Sequence, residues 1–176
     1  DIVHYRPEFK LMVMDLLQYL LGSDSNRNRS YFEWKYEANP YTESPLGFVA
    51  LQHGQVVGFR GYFVVRFEVT GRSDNLLVLC PGDACVHPDY RRQGLSVKMG
   101  KLAMKECAGK YGIFLNTSCN RSSLYGYLKM GFLPLANKGY ATRSTFFGLV
   151  RYTLSRRQVS PLGASRIRFG SYGNIL

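Results

Sequence analysis

Apolar side chains return every three to four residues over 7–21. Phe9, Val13, Leu16, Leu17 and Leu20 fall on one helical face, and Gly22 ends the run. A polar stretch follows, Ser23 to Arg29. Ser30 with Glu33 three residues later fits a capping box, which predicts a second helix from Ser30 to about Ala38, stopped before Asn39-Pro40. From 47 to 88 the pattern changes to short alternating and apolar runs. Phe48–Leu51, Gln55–Phe59 and Gly61–Val69 read as antiparallel strands, with turns at His53-Gly54 and Gly71–Asn75. Leu76–Cys80 is almost wholly apolar and reads as a central strand covered on both faces. Pro81-Gly82 interrupts it before Asp83–Val86 resume. A central strand accepts proline at a bulge or break, so a kink with an opened ladder is expected there.

Helical periodicity returns over about 94–109. Leu95, Met99, Leu102, Ala103 and Cys107 form one stripe, and Lys98, Lys101 and Lys105 lie on another face, where a solvated surface is the plain reading. Ile113–Asn116 reads as a short strand. A helix starting at Asn120 or Ser122 ends at Gly131 as its C-terminal cap. Phe132 opens a further strand, and Thr145–Tyr152 reads as another. Residues 153–176 are basic, Ser- and Gly-rich and weakly periodic. The order predicts an α+β fold, a mixed and mostly antiparallel central sheet with helices on both faces. The domain assignment is 1–152, with 153–176 as a basic tail or a linker to an absent segment.

Composition changes this picture little, and charge changes it more. The 176 residues are 45% hydrophobic and 20% charged, which suits a globular protein with a real core. Residues 1–106 hold 13 Lys/Arg and 12 Asp/Glu, a net of +1. Residues 107–176 hold 10 Lys/Arg and no acid, a net of +10. Such asymmetry points to an anionic partner for the C-terminal part: a phosphorylated cofactor, a nucleotide-linked substrate, nucleic acid or an acidic domain. The four cysteines, Cys80, Cys85, Cys107 and Cys119, form no C-x-x-C pair and have no histidine cluster. Metal ligation and a disulfide framework are therefore not expected. The first residues lack the pattern of a secretory leader, and the longest apolar runs fall far short of a membrane span. A cytoplasmic protein with reduced cysteines, binding no membrane, is the expectation.

The segment richest in chemistry is 86–96, Val-His-Pro-Asp-Tyr-Arg-Arg-Gln-Gly-Leu-Ser. It joins a strand to a helix through a basic, glycine-containing turn. Free backbone N–H groups and the helix dipole make such a turn suited to a phosphate or pyrophosphate. Arg91-Arg92-Gln93-Gly94-Leu95-Ser96 resembles the Arg/Gln-x-x-Gly-x-Gly/Ala motif of the GNAT (Gcn5-related N-acetyltransferase) superfamily, with serine at the last position. Asn120, followed seven residues later by Tyr127 and then by Leu128-Lys129-Met130-Gly131-Phe132, is similar to that family's Asn…Tyr-x-x-x-Gly-Phe pattern. The resemblance covers roughly 45–135. It implies a GNAT-like sheet with splayed strands and acetyl-CoA as co-substrate.

By that resemblance, Cys85 and Val86 offer a backbone edge to the pantetheine amides. The N–H groups of Arg92, Gln93, Gly94, Leu95 and Ser96 hold the pyrophosphate, with Arg91 shaping the turn. Asn120 bonds a pantetheine group or a nearby water, or else caps its helix. Tyr127 is the candidate acid for the departing thiolate, against a packing role under Gly131-Phe132. The base is harder to read. Val78–Gly82 has no acid, which leaves Asp83 as catalytic candidate, against a plain turn role, with Glu68 and His87 as others. Cys85 has no evident histidine partner, so transfer direct to the amine is expected. Tyr31, Phe32, Trp34, Tyr36 and Tyr41 stand where the superfamily builds its acceptor wall. The expected activity is N-acetylation of a primary amine of a small molecule such as an amino sugar or nucleotide-linked sugar. The rivals are a non-catalytic CoA-binding or regulatory domain, and a nucleic-acid binder using the basic C-terminal third, for which no recognised RNA or DNA motif is seen. A homodimer or an additional domain also fits.

Overall fold

The computed structural model describes residues 1–68, 75–117 and 119–134. These lie in one compact unit, Asp1–Pro134. The elements run β1 (Ile2–His4), α1 (Lys10–Leu21), α2 (Ser25–Phe32), β2 (Leu46–Gln52), β3 (Gln55–Phe67), β4 (Leu76–Val86), α3 (Leu95–Cys107) and α4 (Arg121–Lys129). The strands form one antiparallel sheet in the order β1-β2-β3-β4. The turn expected at Gly71–Asn75 falls mostly on residues outside the described ones. So do the strand expected at Thr145–Tyr152, most of the one opening at Phe132, and the 153–176 tail.

Alternation along the strands feeds two cores. One face carries Val49, Val56, Phe59 and Cys85, covered by Val13, Leu16 and Leu17 of α1 and by Phe32 and Tyr36. The other carries Phe48, Ala50, Val57, Tyr62, Val64 and Leu79, covered by Met99, Ala103 and Cys107 of α3. Helices on both faces of a mixed α+β fold are as the sequence predicts.

Three local differences have clear causes. β1 precedes the first helix, and three residues are too few to show a period. The second helix starts at Ser25, not after Ser30. Asp24 caps it by accepting from the Arg27 N–H at 3.0 Å, and Asn28, buried, donates to the Gly22 carbonyl at 2.7 Å. This helix is almost wholly polar, so no apolar stripe marks it. It continues through one π-helical turn, Glu33–Glu37. Finally, the strands expected at Gln55–Phe59 and Gly61–Val69 are joined in one strand, β3, which runs to Phe67. Arg60, between the two expected segments, is buried inside it.

The interruption at Pro81-Gly82 is a bulge within β4, not a break. Arg60 pairs with Ala84 and Tyr62 with Pro81, so Gly61 alone faces Gly82 and Asp83. Tyr36 fills the space made by the two glycines. A Cβ on Gly61 would lie 2.5 Å from Tyr36 Cζ, and one on Gly82 would meet Tyr36 Oη.

Candidate functional site

The bulge decides which backbone groups of β4 face outward. On its N-terminal side, Leu79 donates to Ile113 O and accepts from Leu115 N–H, each at 3.0 Å, around a parallel bridge to Phe114. The strand expected at Ile113–Asn116 is reduced to this bridge. Beyond it the two segments part. Among the described residues, no strand pairs with the outer edge of β4 from Pro81 to Val86. Pro81 has the parity of Leu79, so its missing N–H falls on this outer side and costs the ladder with β3 nothing. Past the bulge, the His87 N–H donates to Val57 O at 2.9 Å. Alternation then turns Cys85 toward β3 and leaves Ala84 and Val86 facing outward. This corrects the expectation for Cys85: its backbone serves the β3 ladder, and its thiol donates to Leu16 O at 3.3 Å. Ala84 takes its place beside Val86. Burial pushes the Cys85 thiol up, with Arg91 opposing.

The chain leaves β4 through His87 and a short 3-10 turn, Pro88–Tyr90. Arg91 folds back, its Nε donating to the Val86 carbonyl at 3.0 Å. This leaves the Val86 N–H as the outward-facing donor of that residue. Arg92 and Gly94 both take left-handed conformations, φ 65° and 74°, before α3 begins. The N–H groups of Gln93 through Val97 have no backbone acceptor among the described residues, and the first helical bond is Lys98 to Gly94 O at 2.9 Å. Arg91, Arg92 and Lys98 are exposed around them. The turn is thus a set of free donors at the positive end of a 13-residue helix, beside the open strand edge.

Ser96 has a different role from its neighbours. Its hydroxyl accepts from Arg60 Nη1 at 2.9 Å and its carbonyl from the same atom at 3.3 Å. The serine where the motif has Gly/Ala therefore answers an inward partner. Sequence reasoning missed Arg60. The available signal was an arginine flanked by glycines 58 and 61 in an otherwise apolar run.

The second motif is a helix with both ends fixed. Asn120 caps α4, its Oδ1 accepting from the Ser123 N–H at 2.9 Å, while Ser123 Oγ accepts from the Asn120 N–H at 3.2 Å. At the other end, the Phe132 N–H bonds to Tyr127 O at 3.1 Å and the Gly131 N–H to Leu128 O at 3.0 Å, with Gly131 at φ 89°. This is a Schellman closure, and its apolar pair is Tyr127 with Phe132, ring centres 5.0 Å apart. The spacing Tyr-x-x-x-Gly-Phe is what such a closure requires. Tyr127 is 7% exposed, and the Arg60 guanidinium carbon lies 5.0 Å from its ring centre. Burial raises the Tyr127 pKa, and Arg60 acts against that rise.

Asp83 lies on the opposite face of the sheet from Tyr127, at the bulge. Its Oδ2 accepts from Tyr36 Oη at 2.7 Å and from Lys35 Nζ at 3.1 Å, and its Oδ1 from Tyr31 Oη at 3.2 Å. Its N–H donates back to Tyr36 Oη at 2.9 Å. Lys35, also missed in the sequence, lies over the rings of Tyr31 and Phe63 at 4.9 and 5.2 Å. Trp34 stands exposed beside Tyr31, ring centres 6.0 Å apart. Phe32 and Tyr36 are core residues. Of the other acids and bases considered, Glu68 is exposed at the end of β3, and His87 contacts Tyr19 at 3.3 Å. Among the described residues, no group of three His, Cys, Asp or Glu could hold a metal, and no helix is long and apolar enough to cross a membrane.

An antiparallel sheet with a bulged strand, a splayed edge and a donor-rich turn into the next helix defines a fold class, and the sequence agrees with it. The pattern of the acetyltransferase (GNAT) domain matches residues 44–134, and the chain belongs to that family. Its domain is an acetyltransferase domain. Solved structures agree on the fold. An aminoglycoside 6'-N-acetyltransferase from Acinetobacter haemolyticus is 14% identical, with a TM-score of 0.64 over 82% of this chain and 99% of that one. An aminoglycoside N-acetyltransferase in complex with a bisubstrate analogue, CoA-S-monomethyl-acetylneamine, is 16% identical, with a TM-score of 0.65 over 82% and 98%. Glucosamine-6-phosphate N-acetyltransferase from Arabidopsis thaliana is 18% identical, with a TM-score of 0.59 over 83% and 97%. A comparison with curated protein sequences gives no match.

Proposed function

We propose that the chain transfers an acetyl group from acetyl-CoA directly to a primary amine of a small molecule, with an amino sugar or nucleotide-linked sugar as the acceptor class. The observation that carries this is the adjacency of two unfilled donor arrays. The outer edge of β4 after the bulge offers Ala84 and Val86, and the turn into α3 offers the N–H groups of Arg92 to Ser96. A thin ligand with amides along its length and phosphates at one end fits both together. Acetyl-CoA is such a ligand and supplies an activated acyl carbon.

The residues divide the work by position. The Val86 N–H, with its own carbonyl tied to Arg91, is a fixed donor at the splay. Tyr127 gives a proton to the departing sulfur. Asp83 holds the bulge and receives the amine's proton through water at Oδ1, which takes one hydrogen bond where Oδ2 takes two. Trp34 and Tyr31 provide an aromatic wall for a sugar ring, with the Asp83–Lys35 pair at its foot. Enzymes acting on an aminoglycoside and an amino sugar phosphate among the solved relatives support this acceptor class.

Calorimetric titration with acetyl-CoA and with CoA tests the cofactor site. Thiol release with neamine and with glucosamine 6-phosphate then tests the acceptor class. Absence of CoA binding refutes the site, and CoA binding without release from either amine refutes the acceptor class. Tyr127→Phe should lower turnover about a hundredfold and leave CoA affinity unchanged.

A further inference from the structure

Arg60 is the buried charge that the reaction above leaves unused. It lies in the middle of β3 and is 2% exposed. Nε donates to Tyr62 Oη at 2.9 Å, and Nη1 donates to Ser96 Oγ and Ser96 O. Nη2 is buried and has no hydrogen-bond partner among the described residues. Among the described residues, no carboxylate pairs with this guanidinium. A buried arginine is ordinarily paired, because desolvating its charge is costly. Here three elements close on it without supplying an anion. β3 gives Tyr62, α3 gives Ser96 from the phosphate-binding turn, and α4 gives the face of Tyr127.

We propose that Arg60 is a positioning residue for acetyl transfer, holding a fixed positive charge against Tyr127 so that the tyrosine can release its proton to the departing sulfur. This rests on the reading of Tyr127 as the acid. In the step, the amine nitrogen bonds to the acyl carbon and the carbon–sulfur bond breaks, its electron pair staying on sulfur. The proton moves from Tyr127 Oη to sulfur and leaves a tyrosinate beside Arg60. Asp83 then releases the proton it took from the amine, and the tyrosinate recovers a proton through water, so both residues return to their starting state. The anion that no described residue supplies to Arg60 is thus formed next to it during turnover.

The groups around Tyr127 favour this role. Burial opposes ionisation, and Cys119, from the segment ahead of α4, opposes it further. Tyr62 from β3 is the other ionisable neighbour, and its charge and that of Tyr127 disfavour each other. α3 presents neutral Ser96 to Arg60 and Val97 to α4. Among the described residues, Arg60 is the group whose charge favours the tyrosinate. The Arg60–Ser96 contact also ties this charge to the phosphate-binding turn.

The test is an alkaline titration of Tyr127 in the full chain. The chain is labelled with carbon-13 at tyrosine Cζ, and the signal is assigned by its loss in Tyr127→Phe. The Tyr127 midpoint should move upward in Arg60→Met and return toward the parent in Arg60→Lys. An unmoved midpoint in Arg60→Met overturns the inference. Arg60→Gln reads the same quantity if the methionine variant does not fold. Turnover separates this inference from the reading beneath it. Arg60→Met should lower kcat about tenfold or more, and should add no loss on the Tyr127→Phe background. Full turnover in Tyr127→Phe overturns the acid reading and the inference with it. A slowed Tyr127→Phe with additive loss from Arg60→Met overturns the role of Arg60 alone.

Discussion

Replacing Tyr36 by phenylalanine tests what holds the bulge in β4. Tyr36 is 1% exposed, and its hydroxyl makes two bonds to one residue, donating to Asp83 Oδ2 at 2.7 Å and accepting the Asp83 N–H at 2.9 Å. Phenylalanine keeps the ring against Phe32 and Phe59, with centres 5.0 and 6.0 Å away, so the core loses one oxygen and no packing. A hydrogen bond to a charged acceptor is worth about 1.5–3 kcal/mol, and a desolvated N–H left without a partner adds roughly 1–3 kcal/mol. Asp83 keeps Lys35 and Tyr31, which recovers part of the first term. The net expectation is a loss of about 3 kcal/mol. Guanidinium unfolding followed by circular dichroism should show a lower midpoint at unchanged slope. CoA affinity should fall as well, because the bulge turns Ala84 and Val86 outward. A loss below about 1 kcal/mol with CoA affinity intact would refute the reasoning, and would mean that the glycines at 61 and 82 set the bulge unaided.

Other expectations are more local. Gly94→Asp should cost about 1 kcal/mol of stability, since Gly94 sits at φ 74°, and should weaken CoA binding at least tenfold by like-charge repulsion. Gly94→Ala, with the strain and without the charge, separates the two effects in the same titration. Asn120→Ala should cost about 1 kcal/mol in an unfolding titration by removing the cap on α4. Cys119 is exposed, while Cys80, Cys85 and Cys107 are buried with thiols pushed up by desolvation. Alkylation of the native chain, read by mass spectrometry, should therefore modify Cys119 first, and CoA should slow it. Burial lifts Tyr5 and Tyr62 to about 12 from an ordinary 10. The unfolded chain then loses these protons first, so stability is fully present below pH 10 and falls between pH 10 and about 12, by about 2–3 kcal/mol for each group. A flat denaturation midpoint across that window would show that these hydroxyls are not shielded.

The elements readable in the sequence are those whose own residues carry the signal. α1 and α3 have an apolar stripe, and the bulge in β4 is announced by Pro81-Gly82 in an apolar strand. The ends of α4 could be read too, because Asn120 and Gly131 are local devices. α2 was misplaced because Asp24, its cap, begins a helix with no apolar stripe, whereas Ser30 precedes apolar residues and imitates a start. Its burial is supplied at the end, by Phe32 and Tyr36, against a sheet that appears later in the chain. The face offered by Cys85 could not be read either, since one extra residue opposite Gly61 reverses the parity of everything after it in β4.

Arg60 shows the same limit at the site itself. A single charge in a strand pattern reads as a break, because its neighbours along the chain give no reason to bury it. Its partners are two residues away on the same strand, 36 residues away at Ser96, and on α4 at Tyr127. Ser96 then stops being an irregular member of a motif. A glycine or alanine would let a phosphate approach equally well, but neither offers the hydroxyl that accepts from Nη1. Without that acceptor, a second nitrogen of a buried guanidinium would lose its side-chain partner, at a cost of about 1–3 kcal/mol. The serine in the turn and the arginine in the strand therefore form one structural unit, linking the turn proposed to hold phosphate to the tyrosine proposed as the acid.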